Sequence, residues 1–152
     1  MRVGLLSDTH NLLRPEVIEA LRGCDCILHA GDVSRPEVLE ELARVAPLRA
    51  VRGNNDKDWP EPLPEMIEFE LGGLRACMAH RKKDLPEDLS AYDLAICGHS
   101  HRYADALEGR TRVLNPGSCG PRRFSQPITL ALLRIEGGAM EVEKIEIPQE
   151  KR

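Results

Sequence analysis

Aromatic side chains make up only 3% of this 152-residue sequence. A core must therefore rest on Leu, Val, Ile and Ala, and few rings remain for stacking on unpaired bases, which argues against a single-strand nucleic-acid binder. An excess of positive charge is lacking too. The 21 Lys and Arg face 25 Asp and Glu, a balance that excludes dedicated binding to nucleic acid or to an anionic membrane surface. No run approaches the roughly 18 unbroken apolar residues of a transmembrane helix. The start lacks the basic region and long apolar stretch of a signal peptide, because Asp8 and His10 interrupt it. A soluble, cytoplasmic protein is expected. The five cysteines (Cys24, Cys26, Cys77, Cys97 and Cys119) show no C-x-x-C spacing. They read as reduced, buried small hydrophobes and not as a zinc–thiolate site or a disulfide framework. The length suits one domain, assigned to residues 1–148, with a polar tail at 149–152.

What is present is a set of short apolar runs that end in metal-binding residue types. Val3, Leu5 and Leu6 form a buried strand that leads into Asp8-Thr9-His10. If the strand continues extended, positions i and i+2 share a face and both side chains reach one point. Pro15, Val17, Ile18 and Leu21 have helical spacing before Gly23. Cys26-Ile27-Leu28 is a second strand, ending in His29-Ala30-Gly31-Asp32. Ser34 and Glu37 stand at capping-box spacing before an apolar helix face of Val38, Leu39, Leu42 and Ala43, stopped by Pro47. Leu48 to Val51 is a third strand, ending in Gly53-Asn54-Asn55-Asp56. This βαβαβ pattern predicts a parallel sheet with right-handed crossovers.

The second half is patterned differently. After a stiff proline-rich connection between Asp58 and Pro64, Ile67, Phe69 and Leu71 alternate with Glu68 and Glu70, and Gly72-Gly73 turns the chain into a strand ending at His80. A short helical piece is expected around Pro86 to Ser90. Leu94 to Cys97 is a strand ending in Gly98-His99-Ser100-His101. A hairpin around Gly109 and another around Gly137-Gly138 complete the chain. Two sheets packed face to face with helices outside, a four-layer αββα sandwich, would bury both halves.

The strand ends supply Asp8, His10, Asp32, Asn54 or Asn55, His80, His99 and His101. Oxygen and imidazole donors without thiolate suit manganese, iron, zinc, cobalt or nickel. These are too many for one tetrahedral site and fit two ions sharing a carboxylate, a recurring device for phosphoryl chemistry. A dinuclear hydrolase is the expectation from the residues themselves.

In the order D-x-H, G-D, G-N-x-D, a lone His and G-H-x-H, the set resembles the calcineurin-like metallophosphoesterase superfamily, and within it the small bacterial and archaeal phosphodiesterases. The resemblance spans Met1 to about Ile147 and implies the four-layer sandwich. It implies that Asp8, His10, Asp32 and His101 hold one ion and that Asp32, Asn54, His80 and His99 hold the other, with Asp32 bridging. The family pattern makes Asn54, and not Asn55, the ligand. The implied reaction is phosphodiester hydrolysis by in-line attack of a hydroxide held between two divalent ions, manganese first among them, on a small phosphoester substrate. No dedicated nucleic-acid or membrane partner is implied; a homo-oligomer is compatible.

Two departures stand out. Larger members read G-N-H-E and use that His toward the leaving group or phosphate; Asn55 replaces it here. Where the family commonly reads T-H-G-H, this chain has Ala79-His80-Arg81-Lys82, so Arg81 and Lys82 either meet a phosphate oxygen or, the reading favoured here, face water. His29 is read as a buried or supporting histidine. Asn115-Pro116-Gly117-Ser118 resembles the family's closing turn, whose role is either structural or phosphate contact. Arg102, Arg122 and Arg123 are surface charges near a possible mouth. The alternatives to a phosphodiesterase are a phosphomonoesterase or nucleotidase on the same site, and a protein-binding scaffold of the retromer-subunit type. The scaffold predicts missing histidines, yet His10, His80, His99 and His101 are all present.

Overall fold

A computed structural model describes residues 1–56, 59, 62–122 and 126–148. The expected polar tail, Arg123 and part of the proline-rich connection lie outside the described residues. Two five-stranded mixed sheets stack face to face. The first has the order β10-β9-β1-β2-β3, with β1 (Arg2–Leu6), β2 (Cys26–His29), β3 (Leu48–Ala50), β9 (Ile128–Glu136) and β10 (Ala139–Ile147). Its three leading strands run parallel, and β9 and β10 pair antiparallel beside β1. The second has the order β4-β5-β6-β8-β7, with β4 (Met66–Leu71), β5 (Leu74–Ala79), β6 (Leu94–Ile96), β7 (Tyr103–Glu108) and β8 (Thr111–Pro116). Here β5, β6 and β8 are the parallel trio.

Alternation along the strands decides the layers. Val3, Leu5, Leu28, Met78, Leu94, Ile96 and Leu133 pack between the sheets in one cluster. Each large side chain taken from water there contributes about 1.5–3 kcal/mol. Leu6, Ile27 and Leu130 face the other way, against Val17 and Leu21 of α1 (Pro15–Leu21) and Val38 and Leu42 of α2 (Pro36–Ala43). Both helices thus cover the outer face of the first sheet, as the 3.6-residue spacing of their apolar positions requires.

The predicted strands, hairpins and parallel crossovers are present, with three local differences. The capping box does not form: Arg35 is the N-cap of α2 with no side-chain cap bond, and Pro36 opens the helix. The backbone N–H of Ser34 is donated instead to Asp56. The helical piece expected at Pro86–Ser90 is displaced to a single 3-10 turn, Lys82–Asp84, and an Asp88 side chain that accepts the Ser90 N–H shapes the loop after it. The outer layer of the second sheet is consequently thin. The cluster of Cys77, Ala79, Ala95, Cys97 and Val113 is covered by Leu85 and Tyr92 and not by an α-helix. All five cysteines are free, four of them buried, as predicted.

In each sheet the carboxyl ends of the parallel trio point to the same edge. The loops leaving β1, β2, β3, β5, β6 and β8 therefore converge on one place, the position where open α/β sheets present their ligand sites.

Candidate metal centre

The D-x-H pair does not meet by extended geometry. β1 stops at Leu6, and both Asp8 (φ 57°) and His10 (φ 44°) are left-handed, so the chain coils tightly and brings the side chains back over the strand end. Asp32, His99 and His101 share this conformation, with φ of 58°, 73° and 63°. For a non-glycine residue each such conformation costs on the order of 1 kcal/mol and persists only where surrounding contacts impose it.

Those contacts are identifiable. The Asp8 backbone N–H donates to Gly31 O at 2.9 Å and that of His10 to Asp32 O at 3.0 Å, locking the first two loops together. Gly31 (φ 104°) lies against the His80 ring, where a Cβ would come within 2.7 Å of Nδ1. A Cβ at Gly53 would overlap the Asp32 backbone N and Oδ1. The glycines of G-D and G-N are thus required by close approach.

Two groups of three donors result: Asp8, His10 and His101, and Asp32, His80 and His99, with the ligand atoms of each group all within 4.8 Å of one another. Each group draws from both sheets. Asp32 Oδ2 stands 3.3 Å from His80 Nε2 and 3.8 Å from His10 Nε2, between the two groups. Asp32 Oδ1 is spent on the Asn55 N–H at 3.0 Å. Asp8 is divided in the same way. Its Oδ2 accepts from the Ser7 hydroxyl (2.7 Å) and the His99 N–H (3.1 Å), while Oδ1 faces His10, His80 and His101 at 3.4–3.8 Å.

Three buried atoms here have no hydrogen-bond partner among the described residues: Asp8 Oδ1, His80 Nε2 and His101 Nδ1. Leaving such atoms unpaired costs about 1–3 kcal/mol apiece, and the first two point into the cluster. His80 Nδ1 lies 2.8 Å from Ala30 O and donates to it, which leaves Nε2 with a lone pair aimed at the carboxylates. Burial raises the Asp8 carboxyl, but the His10 and His101 imidazoles, His80 and Ser7 outweigh it and hold it well below the usual carboxylate range. Burial likewise opposes ionisation of Asp32, yet His80 and the Asn55 N–H lower it. At His80 burial disfavours charge, and the Asp32 and Asp8 carboxylates more than offset that. Each shift favours a positive charge among these side chains. Orphaned acceptors, a negative field and an oxygen–imidazole donor set together fit divalent cations.

Asn54 is exposed, and the structure brings it beside His80 along a cavity of about 120 Å³ that Arg81 also lines. Arg81 is paired with Asp84 at 3.1 Å and Lys82 with Glu108 at 2.9 Å, both partly exposed. The Asn55 amide contacts His10 Nδ1 at 3.2 Å. The atom in contact is the amide Nδ2, a donor, so His10 Nδ1 accepts from it and the ring is held in place with Nε2 turned to the carboxylates. Supports of this kind typically change metal affinity 10–100-fold. Asn55→Leu is therefore expected to weaken metal binding about tenfold without lowering the melting temperature of the metal-free chain, read by calorimetric titration.

His29 is fully buried. Its Nδ1 accepts the Gly31 N–H at 3.1 Å, so Nε2 carries the proton and donates to Thr9 Oγ1 at 3.0 Å. No ring nitrogen is left for a metal, and the residue is a brace between the D-x-H and G-D loops. Burial pushes its pKa down to about 4, against the opposing pull of Asp8 and Asp56. The folded-state value lies below the unfolded one, so its contribution is complete above about pH 6.5 and is lost as pH falls toward about 4. Urea melts of the metal-stripped chain are expected to lose on the order of 3 kcal/mol over that window, and His29→Gln to lack that part of the slope.

The polar groups of the N-P-G-S segment are engaged within the protein. β8 runs through Pro116, and the Asn115 Oδ1 accepts the Gly117 N–H at 2.9 Å, so an Asx turn closes the end of the strand. Asn115 Nδ2 donates to Gly98 O and Ser100 Oγ, and the Ser118 hydroxyl donates to Asp8 O. A functional residue without an assigned role in the sequence reading is Asp56. Fully buried, it accepts the N–H groups of Asp32, Val33, Ser34 and Gly53. Its signal was present as the last letter of G-N-x-D.

Comparison with known proteins agrees with this geometry. The model of the calcineurin-like phosphoesterase superfamily domain matches residues 1–138. A "probable metallophosphoesterase" of Methanothermobacter thermautotrophicus is 35% identical over 161 aligned positions, covering 95% of this chain and 92% of its own. A solved archaeal phosphodiesterase superposes with a TM-score of 0.82 at 25% identity, over 97% of this chain and all of that one. A vacuolar protein sorting 29 of Cryptosporidium parvum shares the fold at a TM-score of 0.72 and 19% identity, covering 97% and 98% of the two chains. With strand-end loops, donor set and sequence in accord, the chain belongs to the calcineurin-like phosphoesterase superfamily.

Proposed function

We propose that this protein is a phosphodiesterase that works with two divalent transition-metal ions, manganese first among them. The observation that carries the reading is the pair of three-donor groups with Asp32 Oδ2 between them. Asp8, His10, Asp32 and His101 would hold one ion, and Asp32, Asn54, His80 and His99 the other. Such ions supply Lewis acidity toward phosphoryl oxygens and water that ionises near neutral pH.

The chain's own residues do the rest. Ser7 and the His99 N–H hold one Asp8 oxygen so that the other faces inward. Ala30 O fixes the His80 tautomer. Asn55 takes the place of the larger members' histidine and brings no proton of useful acidity to a leaving group. Esters with good leaving groups are therefore favoured, and diesters above monoesters in the light of the archaeal phosphodiesterase. No helix among the described residues is long and apolar enough to cross a membrane, which accords with a small phosphoester substrate met in water.

The test is hydrolysis of bis(para-nitrophenyl) phosphate after chelation and again with manganese, nickel, zinc or magnesium, beside metal quantification. Activity that disappears with chelator and returns with metal supports the reading. Stoichiometric metal without turnover of any diester or monoester would transfer support to the protein-binding scaffold. Faster turnover of monoesters would reassign the substrate to the phosphomonoesterase or nucleotidase class.

A further inference from the structure

Next to His99 the second sheet carries a cavity of about 320 Å³ that the reaction above does not use. Its floor is the outer face of the β7–β8 hairpin. Ala106 lies opposite Val113 and Ala104 opposite Asn115 in the cross-strand register, and Cys97 lies beside them on the neighbouring strand's end. The hollow exists for two reasons. Among the described residues no α-helix covers this face, and the two edge-strand positions that would ordinarily carry bulky residues are alanines.

The cavity's character is set by what its polar groups already do. At one end Asn115 donates to Gly98 O and Ser100 Oγ. At the other, Lys82 Nζ is neutralised by Glu108 at 2.9 Å. A charged ligand gains little there, whereas an apolar group gains contact with Val113, Cys97 and the two alanines. A void of about 150 Å³ is enough for benzene, so this one accommodates a substituted ring. His99 belongs both to the cavity wall and to the donor group of Asp32 and His80, whose ring it meets edge-on at 5.2 Å. The cavity and the candidate metal centre are thus adjacent, separated by one residue.

We infer that this cavity receives a neutral, apolar ester arm, of the size of an aromatic ring, from a phosphoester whose phosphorus lies at the candidate metal centre. The inference rests on the proposed phosphoesterase reading and narrows its substrates to esters bearing aryl or comparably bulky apolar groups.

Phenylphosphonate and methylphosphonate present the same anionic head with one arm each, and their binding to the manganese-loaded chain is measured by calorimetry. Phenylphosphonate is expected to bind about tenfold tighter. Ala106→Phe, which fills the hollow from an exposed position, is expected to erase that preference while leaving methylphosphonate within twofold. Ala104→Leu carries the same expectation should the first variant misfold. Equal affinities in the unaltered chain, or a phenyl preference that survives both variants, overturns the inference. Neither phosphonate binding, together with no hydrolysis of bis(para-nitrophenyl) phosphate, removes the phosphoesterase reading itself; hydrolysis without a phenyl preference removes the cavity's role alone.

Discussion

Asp8→Asn is expected to lower metal-dependent hydrolysis by about a thousandfold or more while leaving the melting temperature of the metal-free chain within a few degrees. The asymmetry of the carboxylate is the reason. Oδ2 accepts from Ser7 and His99, contacts that an amide oxygen reproduces. Oδ1 is the buried, unpaired atom that faces three imidazoles. The substitution keeps the outer half of the side chain and places an NH2 group, a donor with no lone pair available to a cation, at the inner half. Circular dichroism and thermal melts check the fold, metal quantification the binding, and aryl diester turnover the activity. A variant that keeps its metal and its rate would remove Asp8 from the ligand set.

Asp56→Ala is expected to produce the larger loss of stability, on the order of 4 kcal/mol. Its carboxylate gathers N–H groups from two separate loops, at 2.8–3.0 Å for the shortest bond to each donor. Alanine leaves all four without this acceptor, three of them in a buried place. The damage does not stop at folding energy, because Asp32 takes its left-handed conformation from this same anchor. Weaker metal binding is expected beside the lower midpoint in urea denaturation. A variant as stable as the parent would show that water replaces the carboxylate at no cost.

Asp8, His10, Asp32, His80, His99 and His101 were legible because each follows directly on an apolar run, and parallel strands place such positions at one sheet edge. The sheets themselves were legible through alternation in β4 and β5 and through the glycine pairs at 72–73 and 137–138. How Asp8 and His10 converge was not, since extended geometry and a left-handed coil put the same letters in the same place, and only long-range bonds to Gly31 and Asp32 choose between them. The capping box failed for a related reason. The spacing of Ser34 and Glu37 is local, whereas Asp56 claims the Ser34 backbone from 22 residues away. Asp56, the last letter of G-N-x-D, has no role legible in the sequence because its work is done entirely on backbone groups, which leave no trace in side-chain patterns.

Each three-donor group takes residues from both sheets: Asp8 and His10 with His101, and Asp32 with His80 and His99. Across this edge a bound ion would act as a rivet through two plates that are otherwise joined by apolar contact and by hydrogen bonds such as those from His80 Nδ1 to Ala30 O and from the His99 N–H to Asp8. Release of the ion and parting of the sheets then become coupled events, and tightness of binding translates into resistance to opening. The same hardware that prepares the chemistry would govern how long the molecule lasts, so scarcity of metal would be felt first as a shortened lifetime of the folded chain.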